Sequence, residues 1–393
     1  MIKKKIAILG STGSIGQSAL RIFQNDFKKF NVFLLSANSN YLIIKKQIRK
    51  YKPKCFIVTD RKVFEKVKSK YKNNKTKIYN KFSDLPKKLK FDITISAIVG
   101  IAGLEPTLRF TGISKKILLA NKESIICGWH IIKKISQKNN TKVIPIDSEH
   151  FSIAELTKNY EDKDIKKIYI TASGGPFLKR SLKSFRNIKA RDAVKHPKWK
   201  MGKKISIDSS NLMNKVLELI EAYKFFSFNP KKYEILIHPQ SLVHAIVFFK
   251  NGQSKFLYHE TDMKIPIANA IYDNAINIKN ITKKESNFLE NLKHIKFEKV
   301  DKKRFPIVTL LKKKMYQNSA AIILNASNEV LVENFINNKI SFHAIYQSLK
   351  RVFRDRDFNK YAIKRSPSIK EIYKIDKWAR EKTAMVIRGK AWE

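Results

Sequence analysis

The sequence has 393 residues, 43% of them hydrophobic and 29% charged, which is typical of a globular chain with two or three domains and excludes a disordered one. Lys and Arg outnumber Asp and Glu by 81 to 33, for a net charge of +48. Because these cations are spread along the whole chain, the charge alone does not indicate a nucleic-acid or membrane partner.

Short aliphatic runs alternate with helix-length intervals over the first 147 residues. These runs are IAIL (6–9), VFLL (32–35), CFIV (55–58), ITISAI (93–98), ILLA (117–120) and VIPI (143–146). Between two of them, Ile44, Ile48 and Tyr51 mark one face of a helix. Strands separated by helices are typical of parallel βαβ units, so this region predicts an α/β, doubly wound sheet of Rossmann type.

The pattern changes from about residue 168. IYITA (168–172) reads as a strand, and Asn251-Gly252 separates two further strand-like runs, as in a two-residue β-hairpin. After about residue 300 the chain is rich in amphipathic helical patterns, such as 327–338 and 368–387. We therefore expect a central α+β domain and a C-terminal helical domain. The predicted divisions are a first domain at 1–147, a central domain at 148–275, a linker at 276–299 and a helical domain at 300–393.

Three glycines, Gly10, Gly13 and Gly16, lie directly after the first strand and at the start of a helix. Glycines at this place let a pyrophosphate approach the N-terminus of the helix, although they can also serve packing alone. Their spacing is GxxGxxG, and the βαβ context favours a dinucleotide site. An NAD site usually has an acid about 20 residues further on, but 27–59 contains no Asp or Glu, so we predict NADP.

Two pairs of acids stand out in a chain that is poor in acids. Asp147 and Glu149 follow the strand-like run VIPI, and their side chains share one side if the backbone is extended. Glu218 and Glu221 are three residues apart on a predicted helix. Carboxylate donors without cysteine favour Mg²⁺ or Mn²⁺ over Zn²⁺. The alternative is that each pair is solvated or bonded to lysine.

Other polar residues fit a phosphorylated ligand. Ser173 precedes two glycines, and Ser209, Asn214 and Lys215 lie at a helix start, where they predict a phosphate cradle. The basic segment 179–204 contains Trp199 and Met201 beside proline and glycine, and it is predicted to be a lid over the ligand. Histidines outside the segments 195–202 and 237–244 are interpreted as structural.

These blocks resemble the 1-deoxy-D-xylulose 5-phosphate reductoisomerase family over nearly the whole length. The matching blocks are LGSTGSIG, AIVGIAGLEPT, ILLANKES, PIDSEH, SGGPF, HPKWKMGKKISIDSSNLMNK, LELIEA, IHPQSLVH and LNASNE. The resemblance implies an NADPH-dependent oxidoreductase of the non-mevalonate isoprenoid pathway. It implies a metal-assisted retroaldol and aldol rearrangement of 1-deoxy-D-xylulose 5-phosphate, followed by hydride reduction to 2-C-methyl-D-erythritol 4-phosphate.

The resemblance also implies roles for individual residues. The metal ligands are Asp147, Glu149 and Glu218, with Glu221 as a further acid, and the catalytic residues are Lys122, Glu149 and His196. The cofactor contacts are Thr12, Gly13, Ser14, Ile15, Asn38, Asn40, Asn121, Glu123 and Gly202. The substrate contacts are Lys122, Ser148, Glu149, Ser173, His196, Ser209, Asn214, Lys215 and Glu218. The lid, or flap, includes His196, Trp199 and Met201.

One position departs from the family. Relatives commonly have Lys where this chain has Ser39, so a cation for the 2′-phosphate of NADPH is missing, and Lys45 or Lys46 is a candidate to replace it.

The two cysteines, Cys55 and Cys127, lack metal-ligand spacing and indicate a reducing compartment. We see no signal peptide or membrane-spanning run, so we expect a cytoplasmic enzyme. The resemblance implies a homodimer, with no nucleic-acid or membrane partner. Two alternatives stay open at this point. One is another metal-assisted NADP-dependent dehydrogenase, acting on a small phosphorylated or hydroxy acid substrate, and the other is a basic nucleic-acid-binding protein.

Overall fold

The computed structural model describes residues 2–195, 197–199, 202–282, 287–311 and 318–389. The chain forms two compact units. Unit one comprises Met1–Ser124, His130–Phe151 and Asp262–Glu285, and unit two comprises Ile125–Trp129, Ser152–Thr261 and Ser286–Glu393. The domain boundaries expected at 147, 275 and 299 stay predictions.

The α-helices of the described residues are as follows, in chain order: α1 (Ser14–Asn25), α2 (Tyr41–Tyr51), α3 (Arg61–Lys70), α4 (Leu104–Thr111), α5 (Lys122–Lys138), α6 (Ser148–Leu156), α7 (Ala190–Ala193), α8 (Lys203–Ser210), α9 (Met213–Phe226), α10 (Lys264–Tyr272), α11 (Phe288–Lys293), α12 (Asn318–Ile336), α13 (Phe342–Arg354), α14 (Phe358–Tyr361) and α15 (Ile369–Arg388).

Unit one is built on a parallel sheet. Its strands are β1 (Lys4–Leu9), β2 (Phe30–Ala37), β3 (Cys55–Val58), β4 (Lys77–Tyr79), β5 (Phe91–Ser96), β6 (Ser114–Leu119) and β7 (Lys142–Pro145). They lie in the order β4-β3-β2-β1-β5-β6-β7, and every pair is parallel. The prediction of a doubly wound sheet is confirmed. The strand order reverses between β1 and β5, which is where this fold places ligands, beyond the carboxyl ends of the strands.

Apolar residues on both faces of this sheet form its core. Ile6 and Ile8 of β1 pack in the cluster that contains Phe23 of α1, whereas Ala7 and Leu9 belong to a cluster on the other face. Both faces of a doubly wound sheet are covered by helices, so its strands read as continuous apolar runs. β4 was not predicted from the sequence, because three residues with one exposed lysine form no such apolar run.

Unit two contains a mixed sheet. Its strands are β8 (Ile165–Ala172), β9 (Tyr233–Ile237), β10 (Val243–Phe249), β11 (Ser254–Tyr258) and β12 (Glu298–Lys299), in the order β11-β10-β8-β9-β12. β8 and β9 are parallel and the other pairs are antiparallel. One face packs in a core with α9, through residues such as Ile168, Ile170 and Leu219.

The hairpin between β10 and β11 differs from the two-residue turn expected from Asn251-Gly252. Gly252 has a φ of +85°, but Asn251 does not have a positive φ. Instead, the Asn251 side chain accepts a hydrogen bond from the backbone N–H of Gln253 at 3.0 Å. The connection is therefore longer than two residues. The hydrogen bond from Gln253 to the Asn251 side chain stabilises it, and Asn251 does not adopt the positive φ that the expected turn requires.

The C-terminal part of unit two is helical, as predicted. α12 packs against α13 and α15. Ser368 begins α15 with a capping box in which its side chain and that of Glu371 exchange hydrogen bonds with backbone N–H groups. Within the described part of the chain, no helix has the length and apolar character needed to span a membrane.

Candidate active site

The turn after β1 requires glycine at two of its three glycine positions. Gly10 has a φ of +84°, and a Cβ there would lie 2.5 Å from the carbonyl oxygen of Ala97. A Cβ on Gly16 would lie 2.4 Å from the carbonyl oxygen of Gly10. Both distances are impossible contacts with backbone atoms, so these two glycines are needed for helix–strand packing.

Gly13 has no such packing requirement. Its φ is −74°, and a Cβ there would meet only the Gly10 carbonyl, at an ordinary 3.5 Å. Gly13 and Ser14 are exposed at the N-terminus of α1, and no side chain caps that terminus. Helix N-H groups without a side-chain cap form a site for an anion such as pyrophosphate. Thr12 and Ile15 flank this position and are half-buried.

A buried polar network holds the turn in place. The Ser11 hydroxyl donates to Oε1 of Gln47 at 2.7 Å, and Nε2 of Gln47 donates back to the Ser11 carbonyl at 2.8 Å. The N–H of Ser11 donates to the Ser36 carbonyl at 2.8 Å. Ser11 and Gln47 are buried. The turn is therefore fixed before any ligand binds.

The segment after β2 is exposed and uncharged. The Asn40 side chain caps α2 by accepting from the N–H of Ile43 at 3.1 Å. Oδ1 of Asn38 accepts from the Thr59 hydroxyl at 3.0 Å. Like Asn38 and Asn40, Ser39 is exposed. The sequence-predicted residues at this position thus provide neutral polar groups and no cation.

Two lysines lie near the start of α2. Nζ of Lys66, on α3, lies 4.5 Å from the ring centroid of Tyr41, and Nζ of Lys45 lies 5.9 Å from it. Lys46, the other candidate from the sequence, is exposed. Lys66 was not among the candidates from the sequence, because it is 25 residues from Tyr41 along the chain and the packing of α3 beside α2 brings it close.

The start of α5 carries three of the predicted residues. Asn121 caps the helix, with Oδ1 accepting from the N–H of Ser124 at 2.7 Å and Nδ2 donating to Glu123 at 3.0 Å. Lys122 is the first residue of the helix and is 8% exposed. Its Nζ lies 3.2 Å from Oδ2 of Asp147. A lysine and an acid that follow different strands therefore meet within unit one.

Asp147 and Glu149 do not lie on the extended backbone that their spacing indicates, and that expectation is wrong. α6 begins at Ser148, so Glu149 is helical and the two acids do not alternate along a strand. Even so, a carboxylate oxygen of each lies within 4.8 Å of the other. Ser148 links them, because its N–H donates to Asp147 at 3.1 Å and its hydroxyl donates to Glu149 at 2.7 Å.

His150 is a residue that sequence reasoning set aside as structural. It is fully buried, and its Nδ1 lies 3.8 Å from Oδ2 of Asp147. The only signal in the sequence was its position three residues after that acid, on the helix that the sequence analysis took for a strand. His150 therefore lies beside the predicted metal ligand Asp147.

Within unit two, α9 carries the second pair of acids. Glu218 is 1% exposed and Glu221 is 2% exposed, which excludes the solvated alternative for both. Nζ of Lys215 lies 2.7 Å from Oε2 of Glu218, and the Asn214 amide donates to Oε1 of the same residue. The alternative that an acid of this pair is bonded to lysine is therefore correct for Glu218. The same contacts place the predicted phosphate contacts Asn214 and Lys215 next to a predicted metal ligand.

The loop after β8 packs on the end of α8. Gly174 and Gly175 have φ values of +80° and +66°, and a Cβ on Gly175 would lie 2.9 Å from the carbonyl oxygen of Ser209. The Ser173 hydroxyl accepts from the N–H of Gly175 at 3.1 Å. Ser209 is half-buried. The structure therefore brings Ser173 and Ser209, two of the predicted phosphate contacts, onto neighbouring segments.

The predicted flap is described in part. His196 and Met201 lie outside the described residues. The ring of Trp199 meets the ring of His244 edge to face at 6.0 Å, and His244 stacks on His259 at 3.8 Å. Burial, followed by the charge of His259, holds the pKa of His244 well below its usual range. Gly202 is the exposed N-cap of α8.

Lys224 is a buried lysine that the sequence analysis did not identify. Its Nζ donates to the carbonyl oxygen of Ile126 at 2.6 Å, near the point where Gly128 interrupts α5. Burial lowers the pKa of Lys224 to about 8. The Lys224 ammonium group therefore provides a hydrogen-bond donor for a carbonyl oxygen close to the point where α5 is interrupted.

The doubly wound sheet and its glycine turn define a dinucleotide-dependent oxidoreductase, and the buried carboxylates provide the all-oxygen donors that a hard divalent cation prefers. Family models for 1-deoxy-D-xylulose 5-phosphate reductoisomerase match residues 6–128, and models for its C-terminal domains match residues 143–226 and 259–382. The chain belongs to the 1-deoxy-D-xylulose 5-phosphate reductoisomerase family.

Individual relatives agree with this assignment. The chain is 46% identical over 381 residues to the 1-deoxy-D-xylulose 5-phosphate reductoisomerase of Pelagibacter ubique, covering 95% of this chain and 97% of that protein. It is 36% identical over 397 residues to that of a Wolbachia pipientis strain, covering 98% of each.

Solved structures of similar proteins match over nearly the whole chain. A DOX-P reductoisomerase in complex with NADPH, fosmidomycin and magnesium has a TM-score of 0.91 at 31% identity, covering 98% of each chain. The Zymomonas mobilis reductoisomerase in complex with NADPH has a TM-score of 0.88 at 30% identity, covering 99% of this chain and all of that chain.

Proposed function

We propose that the protein converts 1-deoxy-D-xylulose 5-phosphate to 2-C-methyl-D-erythritol 4-phosphate by isomerisation and NADPH-dependent reduction, with Mg²⁺ or Mn²⁺, in the non-mevalonate isoprenoid pathway. The observation that carries the proposal is family membership over the full chain, at 46% identity to a curated relative. The open glycine turn at α1 and the buried acids support it, because they match the two groups, NADPH and magnesium, in the similar solved structure.

For the cofactor, we assign the pyrophosphate to Thr12, Gly13, Ser14 and Ile15 at the N-terminus of α1. The exposed, uncapped N–H groups there and the dipole of the helix favour an anion. The remaining contacts are assigned, as the family resemblance implies, to Asn38, Asn40, Asn121, Glu123 and Gly202. When bound, NADPH supplies the hydride for the reduction. The capped start of α5 fixes Asn121 and Glu123 before the cofactor arrives.

For the metal, we assign Asp147, Glu149 and Glu218 as ligands, with Glu221 as a further acid. Their oxygens suit Mg²⁺ or Mn²⁺, and a bound cation of this kind withdraws negative charge from the reacting oxygens of a sugar. Ser148 holds Asp147 and Glu149 through two hydrogen bonds. Lys122 adds a second positive charge beside Asp147, so it is assigned both a catalytic role and contact with the substrate.

For the substrate, we assign the phosphate to Ser173, Ser209, Asn214 and Lys215, with His196 from the flap. Hydroxyl, amide and ammonium donors on converging segments suit a phosphate dianion. Ser148 and Glu149 are assigned to the carbon chain of the sugar. His196 is assigned a catalytic role with Lys122 and Glu149. The flap, including Trp199 and Met201, keeps water from the reacting carbons when it closes.

A coupled assay tests the proposal. Purified protein with Mn²⁺ and NADPH is expected to oxidise NADPH only when 1-deoxy-D-xylulose 5-phosphate is added, with the loss of absorbance at 340 nm matched by formation of the methylerythritol phosphate. Small hydroxy acids replace the sugar phosphate in a parallel reaction. Oxidation with a hydroxy acid, and none with the sugar phosphate, would assign the chain to a different dehydrogenase activity.

We propose that Lys66 and Lys45 replace the lysine that relatives have at the position of Ser39. Both ammonium groups lie near Tyr41 at the start of α2, where the ribose of a dinucleotide meets the end of β2. A dianionic 2′-phosphate needs such cations, and the segment 38–40 itself offers none.

Replacing Lys66 by Gln is therefore expected to raise the Kd for NADPH about three- to tenfold, while leaving the weaker binding of NADH unchanged, because only NADPH carries the 2′-phosphate. Quenching of protein fluorescence on titration measures both constants. Lys62→Gln, an exposed lysine on the same helix, is the matched control. A parallel loss of NADPH and NADH binding would show that Lys66 supports the fold of α3 instead.

We further propose a cytoplasmic homodimer that uses the open face of the unit-two sheet. Phe248 and Phe256 on β10 and β11 are 38% and 51% exposed, although they lie on a sheet whose other face is buried. Exposed aromatic residues grouped on one sheet face favour association. Both cysteines are buried and neither is in a disulfide, as in a reducing compartment. Sedimentation equilibrium measures the mass in solution, which is expected to be that of two chains. Cell fractionation identifies the compartment, which is expected to be the cytoplasm.

A further inference from the structure

The segment 208–215 spans the junction between α8 and α9 and contains three of the proposed phosphate contacts, Ser209, Asn214 and Lys215. Between them, Leu212 has a φ of +66° and is 1% exposed. A branched side chain rarely adopts this left-handed conformation, where glycine has no steric penalty. Conformations of this kind persist only when the surrounding structure enforces them, and they concentrate at functional sites.

Contacts on both sides of Leu212 hold the junction. After α8 ends, the Asn211 side chain accepts from the N–H of Met213 at 2.9 Å, which fixes the first turn of α9. Before it, Asp208 is 1% exposed and accepts from Nδ2 of Asn328 at 2.8 Å. Nζ of Lys204 lies 3.3 Å from the other oxygen of Asp208.

Asn328 comes from a distant part of the chain. It lies on α12, 120 residues from Asp208, and is fully buried. Each oxygen of a buried carboxylate needs a hydrogen-bond partner, and an oxygen that loses its partner keeps the cost of its removal from water. The amide of Asn328 therefore determines where Asp208 can lie, and α12 holds the end of α8.

We propose that Asn328 and Asp208 are positioning residues for the phosphate of the substrate. Ser209 directly follows Asp208, and its carbonyl oxygen lies against Gly175 of the loop that carries Ser173. A displacement of Asp208 thus moves both serines that are assigned to the phosphate. Binding groups must be held within about half an ångström of their productive positions to act together. This inference rests on the proposed function.

A reciprocal exchange tests the proposal. Asn328→Asp places two carboxylates face to face, and we expect it to raise the KM for 1-deoxy-D-xylulose 5-phosphate about tenfold or more, with the Kd for NADPH changed less than about twofold. In the double variant Asp208→Asn with Asn328→Asp, the amide and carboxylate change places and the bond can form again. We expect the double variant to recover most of the lost substrate affinity.

Asn334→Asp is the matched control, because it makes the same chemical change on the same helix at a side chain that donates to the Val330 carbonyl of that helix. It is expected to leave the KM unchanged. Thermal unfolding of every variant identifies effects on stability. An Asn328→Asp variant with a lowered Tm and an unchanged KM, or a double variant that recovers nothing, would overturn the proposal.

The two hypotheses fail in different ways. If the wild-type protein does not turn over the sugar phosphate, the proposed function fails. If the wild type is active and the Asn328→Asp variant has the wild-type KM, only the positioning role fails.

Discussion

Asp147→Asn and Glu218→Gln are each expected to reduce turnover to about a thousandth of the wild-type rate or less, while NADPH binding stays largely intact. Both changes keep the size of the side chain and remove the negative charge that a divalent cation requires. The proposed cofactor contacts at the start of α1 lie on a separate segment with its own buried network around Ser11 and Gln47, which neither change touches.

Three measurements separate a metal-ligand role from a structural one. The rate of NADPH oxidation with the sugar phosphate gives turnover, a fluorescence titration gives NADPH binding, and the electron paramagnetic resonance signal of free Mn²⁺ gives metal affinity. Glu234→Gln is the control, since this exposed acid pairs with Lys167 on the unit-two sheet. Equal loss of NADPH binding in both active-site variants, with normal Mn²⁺ affinity, would show that the acids are structural.

The sequence predicted the unit-one sheet well, because each central strand is a continuous apolar run between helices. CFIV matches β3 residue for residue, and VIPI overlaps β7. The scarcity of acids also singled out both pairs, Asp147 with Glu149 and Glu218 with Glu221, and their role as metal ligands stays a prediction. The reasoning from an extended backbone failed because α6 begins one residue after Asp147, so Glu149 lies in the first turn of a helix and not on a strand.

Features that depend on distant parts of the chain were not predictable. Residues 262–285 return to unit one, where α10 packs against α1, although the apolar pattern of α10 does not specify its partner. The bond between Asp208 and Asn328 joins residues that share no sequence pattern. The left-handed backbone conformation of Leu212 was not predictable either, because leucine is not a residue that indicates a turn. The named roles of most site residues came from the family resemblance and not from periodicity.

Gly13→Ala and Gly16→Ala are expected to differ in which property they impair, stability or NADPH binding, although both remove a glycine from the same turn. Gly16→Ala should destabilise the fold by roughly 3 kcal/mol, because its Cβ would lie 2.4 Å from a backbone oxygen that cannot move aside. Gly13→Ala should cost about 1 kcal/mol or less, mainly through a poorer N-cap, since its Cβ has room within the protein.

For NADPH binding, Gly13→Ala should be the more damaging of the two changes. A methyl group on Gly13 would stand at the exposed N-terminus of α1, where the pyrophosphate is proposed to approach the backbone, and we expect the Kd for NADPH to rise about tenfold or more. Urea denaturation measures the first effect and a fluorescence titration of the folded protein the second. A stable Gly13→Ala variant with wild-type affinity would mean that Gly13 is not needed for the cofactor and that Gly10 and Gly16 serve packing alone, the alternative that the spacing in the sequence left open.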